Sequence, residues 1–199
     1  MKIRLSAIFI AAGLLLVFAA GGMFLYNEKF QEDAAKASEN LMPQIVEAIR
    51  TEQEKEQEPV VVAPDEKKMT AAEIDGQNYI GFIGIPALGL ELPVMAEWDY
   101  EKLKTAPCRY SGSIYTDDFV VMAHNYKKHF GRLSQLVAGD PVTFTDMTGE
   151  TVRYVVVSVE VLPKNAVEEM ISGEFDLTVF TCTYTGEGRI AVRCDRIKD

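Results

Sequence analysis

The sequence predicts an all-β domain that follows a single membrane-spanning helix. Seven short runs rich in β-branched and aromatic residues are separated by turn residues, which is typical of a closed barrel or a sandwich. Near the N-terminus, residues 7–26 carry no charge and are rich in Ala, Leu, Phe and Gly. About twenty such residues cross a bilayer as a helix. We therefore divide the chain into residues 1–26, 27–75 and 76–199.

The predicted strands of the third region lie between Gly, Pro, Asp and Asn clusters. They are residues 79–85, 92–94, 119–123, 141–145, 151–162, 177–182 and 189–197. Residues 146–149 are predicted to form a hairpin turn, and short helices are predicted at residues 100–105, 131–137 and 165–172. A domain of this length can bury a hydrophobic core of its own.

The apolar segment is expected to remain as an uncleaved anchor. A cleaved signal peptide has an apolar core of roughly 7–15 residues. Here Met23 to Tyr26 continue past the small residues 19–22, which imitate a cleavage site. Because Lys2 and Arg4 precede the segment, the positive-inside rule places the N-terminus in the cytoplasm. The bulk of the chain is then expected outside the cell.

Residues 27–75 are predicted to be a charged stalk, partly helical and partly disordered. Their apolar residues Leu41, Ile45, Val46 and Ile49 have loosely helical spacing. The run of residues 52–58 is too charged to bury. An inhibitory segment folded over an active site is the alternative, and a simple linker is favoured.

The net charge of −10 argues against nucleic acid or an anionic membrane surface as a partner. The three cysteines are too scattered and the two histidines too few for a zinc site. We predict no cofactor and no metal. Calcium stimulation stays open, since some carboxylates lie in predicted loops without an EF-hand pattern; these are Asp117, Asp118, Glu168 and Glu169.

Cys182 is the candidate nucleophile, because a thiol near a strand end becomes reactive when a base or a positive charge lies close. Both histidines lie in one segment. His124 follows a predicted buried strand and is favoured as the base, since a strand end is a rigid position. His129 is expected in a surface loop or a lid. Across the turn after Cys182, Arg189 opens the last strand, and Arg193 is the fallback if Arg189 is wrong.

These residues resemble motifs of the sortase family. Thr-Val-Phe-Thr-Cys182 is similar to the sortase Thr-Leu-x-Thr-Cys motif, and Ala123-His124-Asn125 is similar to its Gly-His motif. Upstream, Tyr79-Ile-Gly-Phe-Ile-Gly-Ile-Pro86 resembles the opening strand of the sortase domain. Together the matches cover residues 76 to 197 in the expected order. The resemblance implies an eight-stranded closed β-barrel, and the short connection after residue 162 makes class B less fitting than other classes.

The resemblance also implies an activity and its residues. Cys182 would attack the carbonyl between Thr and Gly of a sorting motif similar to Leu-Pro-x-Thr-Gly and form a thioacyl-enzyme. His124 would act as acid and base, and Arg189 would bind substrate and the developing oxyanion. Thr181 and Ala123 would line the substrate groove. Surface proteins would be the donors, and a peptidoglycan precursor or a pilin amine would be the acceptor.

Cys108 and Cys194 form a spare pair outside the cell, where disulfides are common. Each lies near a predicted strand end. We expect either a disulfide between them or two reduced, half-buried thiols.

Two other functions fit the same residues. One is an extracellular cysteine peptidase that only hydrolyses, with an Asn or Asp orienting the imidazole in place of the arginine. The other is a surface-anchored barrel that binds a partner without catalysis. Within the sortase hypothesis, wall anchoring and pilus polymerisation stay open, and the lack of an Asp-Pro-aromatic lid motif favours anchoring.

Overall fold

Short β-strands dominate the structure, a computed structural model that describes residues 5–55 and 68–198. Its strands are β1 (Ala72–Ile74), β2 (Gln77–Ile85), β3 (Leu90–Met95), β4 (Cys108–Ser111), β5 (Phe119–Met122), β6 (Pro141–Asp146), β7 (Thr151–Pro163), β8 (Leu177–Cys182) and β9 (Gly188–Arg196). Its helices are α1 (Leu5–Lys55) and α2 (Val167–Met170). Single 3₁₀ turns lie at Pro86–Leu88, Lys102–Lys104 and Leu133–Gln135.

Eight of these strands close into a barrel. Neighbours around the barrel are β2-β3-β4-β5-β8-β9-β7-β6, and β6 pairs again with β2. The pairs β3–β4 and β5–β8 are parallel, and the others are antiparallel. Strand β1 adds to β2 as a short hairpin outside the ring. The predicted eight-stranded closed barrel is thus confirmed.

Side chains alternate between the two faces of the barrel wall, and the interior holds the main hydrophobic core. Phe119 and Phe144 meet edge to face there, with ring centroids 4.8 Å apart. Closure depends on Gly81, where β2 approaches β6 with a φ of 138°. A Cβ at this position would lie 2.0 Å from the Thr145 carbonyl oxygen, so only glycine fits.

The first part of α1 belongs to a compact unit that ends at Asp33. Its apolar side chains are exposed, for example Phe18 and Leu25. One 18-residue window has a mean hydropathy of 2.5, so this part of the helix is long and apolar enough to cross a membrane. Lys2 and Arg4, on which the predicted orientation rests, lie outside the described residues.

The second part of α1, from Ala34 onwards, belongs to the same compact unit as the barrel. Leu41, Ile45 and Ile49 recur every four residues and form one apolar stripe. They pack against barrel-side residues that include Ile74, Tyr79, Met95, Leu103 and Met147. The helical spacing was predicted correctly, but the stalk interpretation is wrong for residues 34–55, because this stripe is buried against the domain. The end of the charged run, in residues 56–67, lies outside the described residues.

Candidate active site

Strands β5 and β8 place the candidate base beside the candidate nucleophile. They run parallel, and Met122 pairs with Phe180 at the last registered position. The Ala123 amide continues the ladder by donating to the Phe180 carbonyl at 3.2 Å. Beyond it, the Asn125 side-chain amide donates to the Thr183 carbonyl at 3.4 Å. His124 and Cys182 therefore lie at matching positions on adjacent strand ends, between two cross-links.

Strand β9 places Arg189 directly across from Cys182, since the two residues are Cα partners in the antiparallel β8–β9 pair. Side chains of directly opposed residues lie on the same face of a sheet. The preceding pair on that face, Phe180 and Ala191, packs in a small cluster separate from the barrel interior. Cys182 and Arg189 thus lie on the outer face of the barrel, and both are partly exposed.

The Arg189 guanidinium is held at the rim of this hairpin. Its Nη1 donates to the carbonyls of Gly186 at 3.3 Å and Gly188 at 3.0 Å. Gly186 lies in the turn that follows Cys182 and Gly188 opens β9, so the cation stays at the same end of the strands as the thiol. These contacts leave other N–H donors of the five-donor fork for a substrate oxygen.

Arg193, the fallback residue, has a different role. The alternation holds along β9, because Arg193 pairs with Thr178 on the same face as Arg189. However, Arg193 is buried and donates to Glu160 at 2.6 Å and to the Thr178 hydroxyl at 3.0 Å. It also donates to the Glu169 carbonyl at 2.8 Å and so ties α2 to the barrel wall. Its donors are occupied, which leaves Arg189 as the cation beside the thiol.

Thr181 and Ala123 do not line a groove surface. Both are buried, and the Thr181 hydroxyl donates to the Ala123 carbonyl at 2.8 Å. This bond joins β5 to β8 one residue before the candidate catalytic pair. The structure thus places these two residues beneath the site, because Thr181 points to the opposite face from Cys182.

His124 is half-buried, and its environment favours the neutral imidazole. Burial lowers the pKa of His124, and the nearby Lys104 ammonium lowers it further. The Tyr126 ring packs against the imidazole with centroids 4.9 Å apart. At neutral pH the side chain can therefore accept a proton, as a base must.

His129 is fully buried, which corrects the prediction of a surface loop or lid residue. Its Nε2 lies 3.2 Å from the Ser38 hydroxyl of α1, and its ring lies 5.5 Å from the Tyr126 ring. Burial lowers the pKa of His129 to about 4, with a smaller contribution from His124. Sequence reasoning missed Ser38, because no spacing rule links residues 91 positions apart.

Acid should destabilise the domain through His129. In the unfolded chain this imidazole titrates near 6.5, whereas in the folded chain its pKa is lowered to about 4. Between these values the unfolded state binds more protons, so stability rises with pH and is lost as pH falls towards 4. Urea unfolding measured across this range should give a flatter pH dependence for His129→Gln than for wild type. Equal slopes would contradict the prediction.

The disulfide alternative for Cys108 and Cys194 is wrong, and both thiols are free and buried. Strands β5 and β8 separate β4 from β9, which amounts to three spacings of about 4.8 Å. A disulfide requires Cα atoms within about 7 Å. Burial raises the pKa of each of these thiols to about 12.

Of the four carboxylates considered for calcium, Glu168 and Glu169 lie exposed in α2 and not in a loop, while Asp117 and Asp118 have structural partners. Asp117 pairs with Arg196 at 3.3 Å, and Asp118 accepts from the Ser113 amide at 3.0 Å. Within residues 5–55 and 68–198, no group of three or more His, Cys, Asp or Glu side chains could hold a metal ion.

Comparisons with known proteins agree with this fold. The family model for the Sortase domain matches residues 83–197. A sortase C1 crystal structure from Streptococcus suis is 26% identical over 61% of this chain and 74% of its own, with a TM-score of 0.52. Sortase A from Corynebacterium diphtheriae is 18% identical over 91% of this chain and 96% of its own, with a TM-score of 0.56.

A third structure is that of sortase C from Streptococcus pneumoniae, which gives insight into catalysis and pilin substrate specificity in that protein. It is 18% identical over 86% of this chain and 96% of its own, with a TM-score of 0.56. No protein with a curated description matches the sequence.

Proposed function

Because the chain belongs to the sortase family, we propose that it is a membrane-anchored cysteine transpeptidase acting on a Leu-Pro-x-Thr-Gly-like sorting motif. The observation that carries the proposal is the register of β5, β8 and β9. It brings His124, Cys182 and Arg189 to one end of the barrel wall. This is the constellation that thioacyl chemistry needs: a nucleophile, a base and a donor for the oxyanion.

The reaction proceeds in two steps. Neutral His124 takes the proton of the Cys182 thiol, and the resulting thiolate attacks the Thr carbonyl. The C–N bond to Gly then breaks as protonated His124 gives this proton to the leaving amine. An incoming amine then attacks the thioester and gives a proton to neutral His124, and the C–S bond breaks to release the Cys182 thiolate. Arg189 donates hydrogen bonds to the oxyanion in both tetrahedral intermediates.

The donor would be a surface protein with the sorting motif, and the acceptor would be a peptidoglycan or pilin amine. Similarity to the Streptococcus pneumoniae sortase C structure, which concerns pilin substrate specificity, favours a pilin acceptor. The lack of an Asp-Pro-aromatic lid motif before the domain favours wall anchoring. The apolar part of α1 would hold the enzyme in the cell membrane, with Lys2 and Arg4 on the cytoplasmic side.

The test is direct trapping of the acyl-enzyme. The full-length chain in detergent is incubated with sorting-motif peptides, and intact mass spectrometry should show a thioacyl adduct that Cys182→Ala lacks. Adding an amine should discharge the adduct into a transpeptidation product. Discharge by water alone at saturating amine would favour the hydrolytic peptidase, and no adduct with any peptide would favour a non-enzymatic binding barrel.

A further inference from the structure

Helix α1 contacts the two segments that flank the candidate base. Its Ser38 hydroxyl donates to the Thr105 carbonyl at 2.8 Å and lies 3.2 Å from His129 Nε2. Glu39 lies 3.7 Å from Lys128. Thr105 follows Lys104, whose charge reaches His124, and His129 lies in the loop that begins at His124. One helical turn of α1 therefore holds both sides of the site.

The single proton of the Ser38 hydroxyl determines which of Ser38 and His129 is the hydrogen-bond donor. A serine hydroxyl has one proton, and Ser38 donates it to Thr105. Its oxygen must then accept from His129 Nε2–H, which defines the tautomer of the buried, neutral imidazole. His129 Nδ1, on the other side of the ring, is buried without a hydrogen-bond partner, so the bond to Ser38 is the one that orients the imidazole. His129 is thus oriented by α1.

From His129 the contacts continue to the base. The His129 ring packs on Tyr126 with centroids 5.5 Å apart, and Tyr126 packs on His124 at 4.9 Å. The backbone supports the same loop, because the His129 amide donates to the Tyr126 carbonyl at 3.0 Å and the Phe130 amide donates to the His124 carbonyl at 3.2 Å. A shift of His129 would therefore move the ring that packs on His124.

We propose that Ser38 and His129 are positioning residues for His124, which makes residues 34–55 of α1 part of the catalytic unit. The inference rests on the proposed function. Neither residue touches the thiol. They act through Tyr126 by holding the imidazole at the strand end beside Cys182, where small displacements are costly for proton transfer.

Paired substitutions separate an effect on the orientation of His124 from a general loss of domain stability. Ser38→Ala removes the acceptor, His129→Phe keeps a ring on Tyr126 without the donor, and His129→Gln keeps a donor without the ring. Ile49→Ala is the matched control, because Ile49 is a buried residue of the same helix that packs in the cluster of Tyr79 and Met95. It should lower stability without disturbing the loop of His124.

The full-length variants in detergent are assayed for transpeptidation, and their histidine side chains are followed by selective-label NMR. Ser38→Ala and His129→Phe should lower kcat about tenfold with KM within twofold of wild type, and should shift the His124 resonances and their titration. Ile49→Ala should change neither. The inference is overturned if both variants keep wild-type kcat, or if Ile49→Ala lowers kcat equally.

The same experiment distinguishes this inference from the proposed function. A wild-type chain that forms no thioacyl adduct defeats the proposed function. In that case, the NMR comparison still decides whether Ser38 and His129 position His124. Unchanged His124 resonances in both variants would overturn the inference on their own.

Discussion

Replacing Arg189 with alanine should lower kcat/KM for a sorting peptide by about 10²–10³-fold, the cost of losing one oxyanion donor. Arg189 is the cation directly across the ladder from Cys182. Arg193 is buried, and its guanidinium donates to Glu160. The fold should be unaffected, because the Arg189 guanidinium donates only locally, to the carbonyls of Gly186 and Gly188 in the same hairpin. Steady-state kinetics with parallel unfolding curves would measure both effects.

Two controls sharpen this prediction. Arg189→Lys keeps the charge but loses the planar fork, and should fall between wild type and alanine. Arg50→Ala removes an exposed arginine of α1 that pairs with Glu54, and should leave kcat/KM unchanged. Activity of Arg189→Ala within threefold of wild type would contradict an oxyanion role. It would favour a peptidase whose imidazole is oriented by another group.

Replacing Ile45 with alanine should lower the free energy of unfolding by roughly 2–5 kcal/mol, the usual cost of a large-to-small change in a core. Ile45 is fully buried between Leu41 and Ile49 and packs in the cluster of Tyr79, Met95 and Leu103. The expected loss is large because this helix is part of the domain rather than a spacer. Chemical unfolding followed by circular dichroism would measure it.

The matched control for Ile45 is its neighbour Val46. The Val46 side chain is 53% exposed on the same helix, so Val46→Ala should change the free energy of unfolding by no more than about 0.5 kcal/mol. If Ile45→Ala and Val46→Ala gave the same midpoint, the packing of α1 on the barrel would contribute little, and the stalk interpretation would regain support.

The sequence was sufficient to predict the barrel, whereas the roles of His124, Cys182 and Arg189 stay predictions. Strands such as β7 and β8 have the β-branched runs that alternate between two faces, and Cys182 ends one of them. The strands that were missed, β1 and β4, have three and four residues. Runs that short carry too little alternation to be distinguished from loops.

Long-range contacts account for the other failures. The apolar stripe of α1 was visible, but the charged run of residues 52–58 that follows it favoured a solvated stalk. The spacing alone could not show that the stripe packs on the barrel. Likewise, strand alternation places Arg189 and Arg193 on the same face of β9 and does not distinguish between them. Only the packing of α2 over β9 decides which is buried. Partners far apart in sequence follow from the fold and have no local pattern.

The position of β9 has a consequence for how the molecule is made. Strand β9 pairs with β8 on one side and with β7 on the other, so the ring stays open until β9 has been synthesised. Before that, two strand edges are unpaired and prone to wrong association, and closure must await slow, non-local pairing. Pairing of β9 with β8 also brings Arg189 across from Cys182. The candidate site is therefore completed only when the barrel closes.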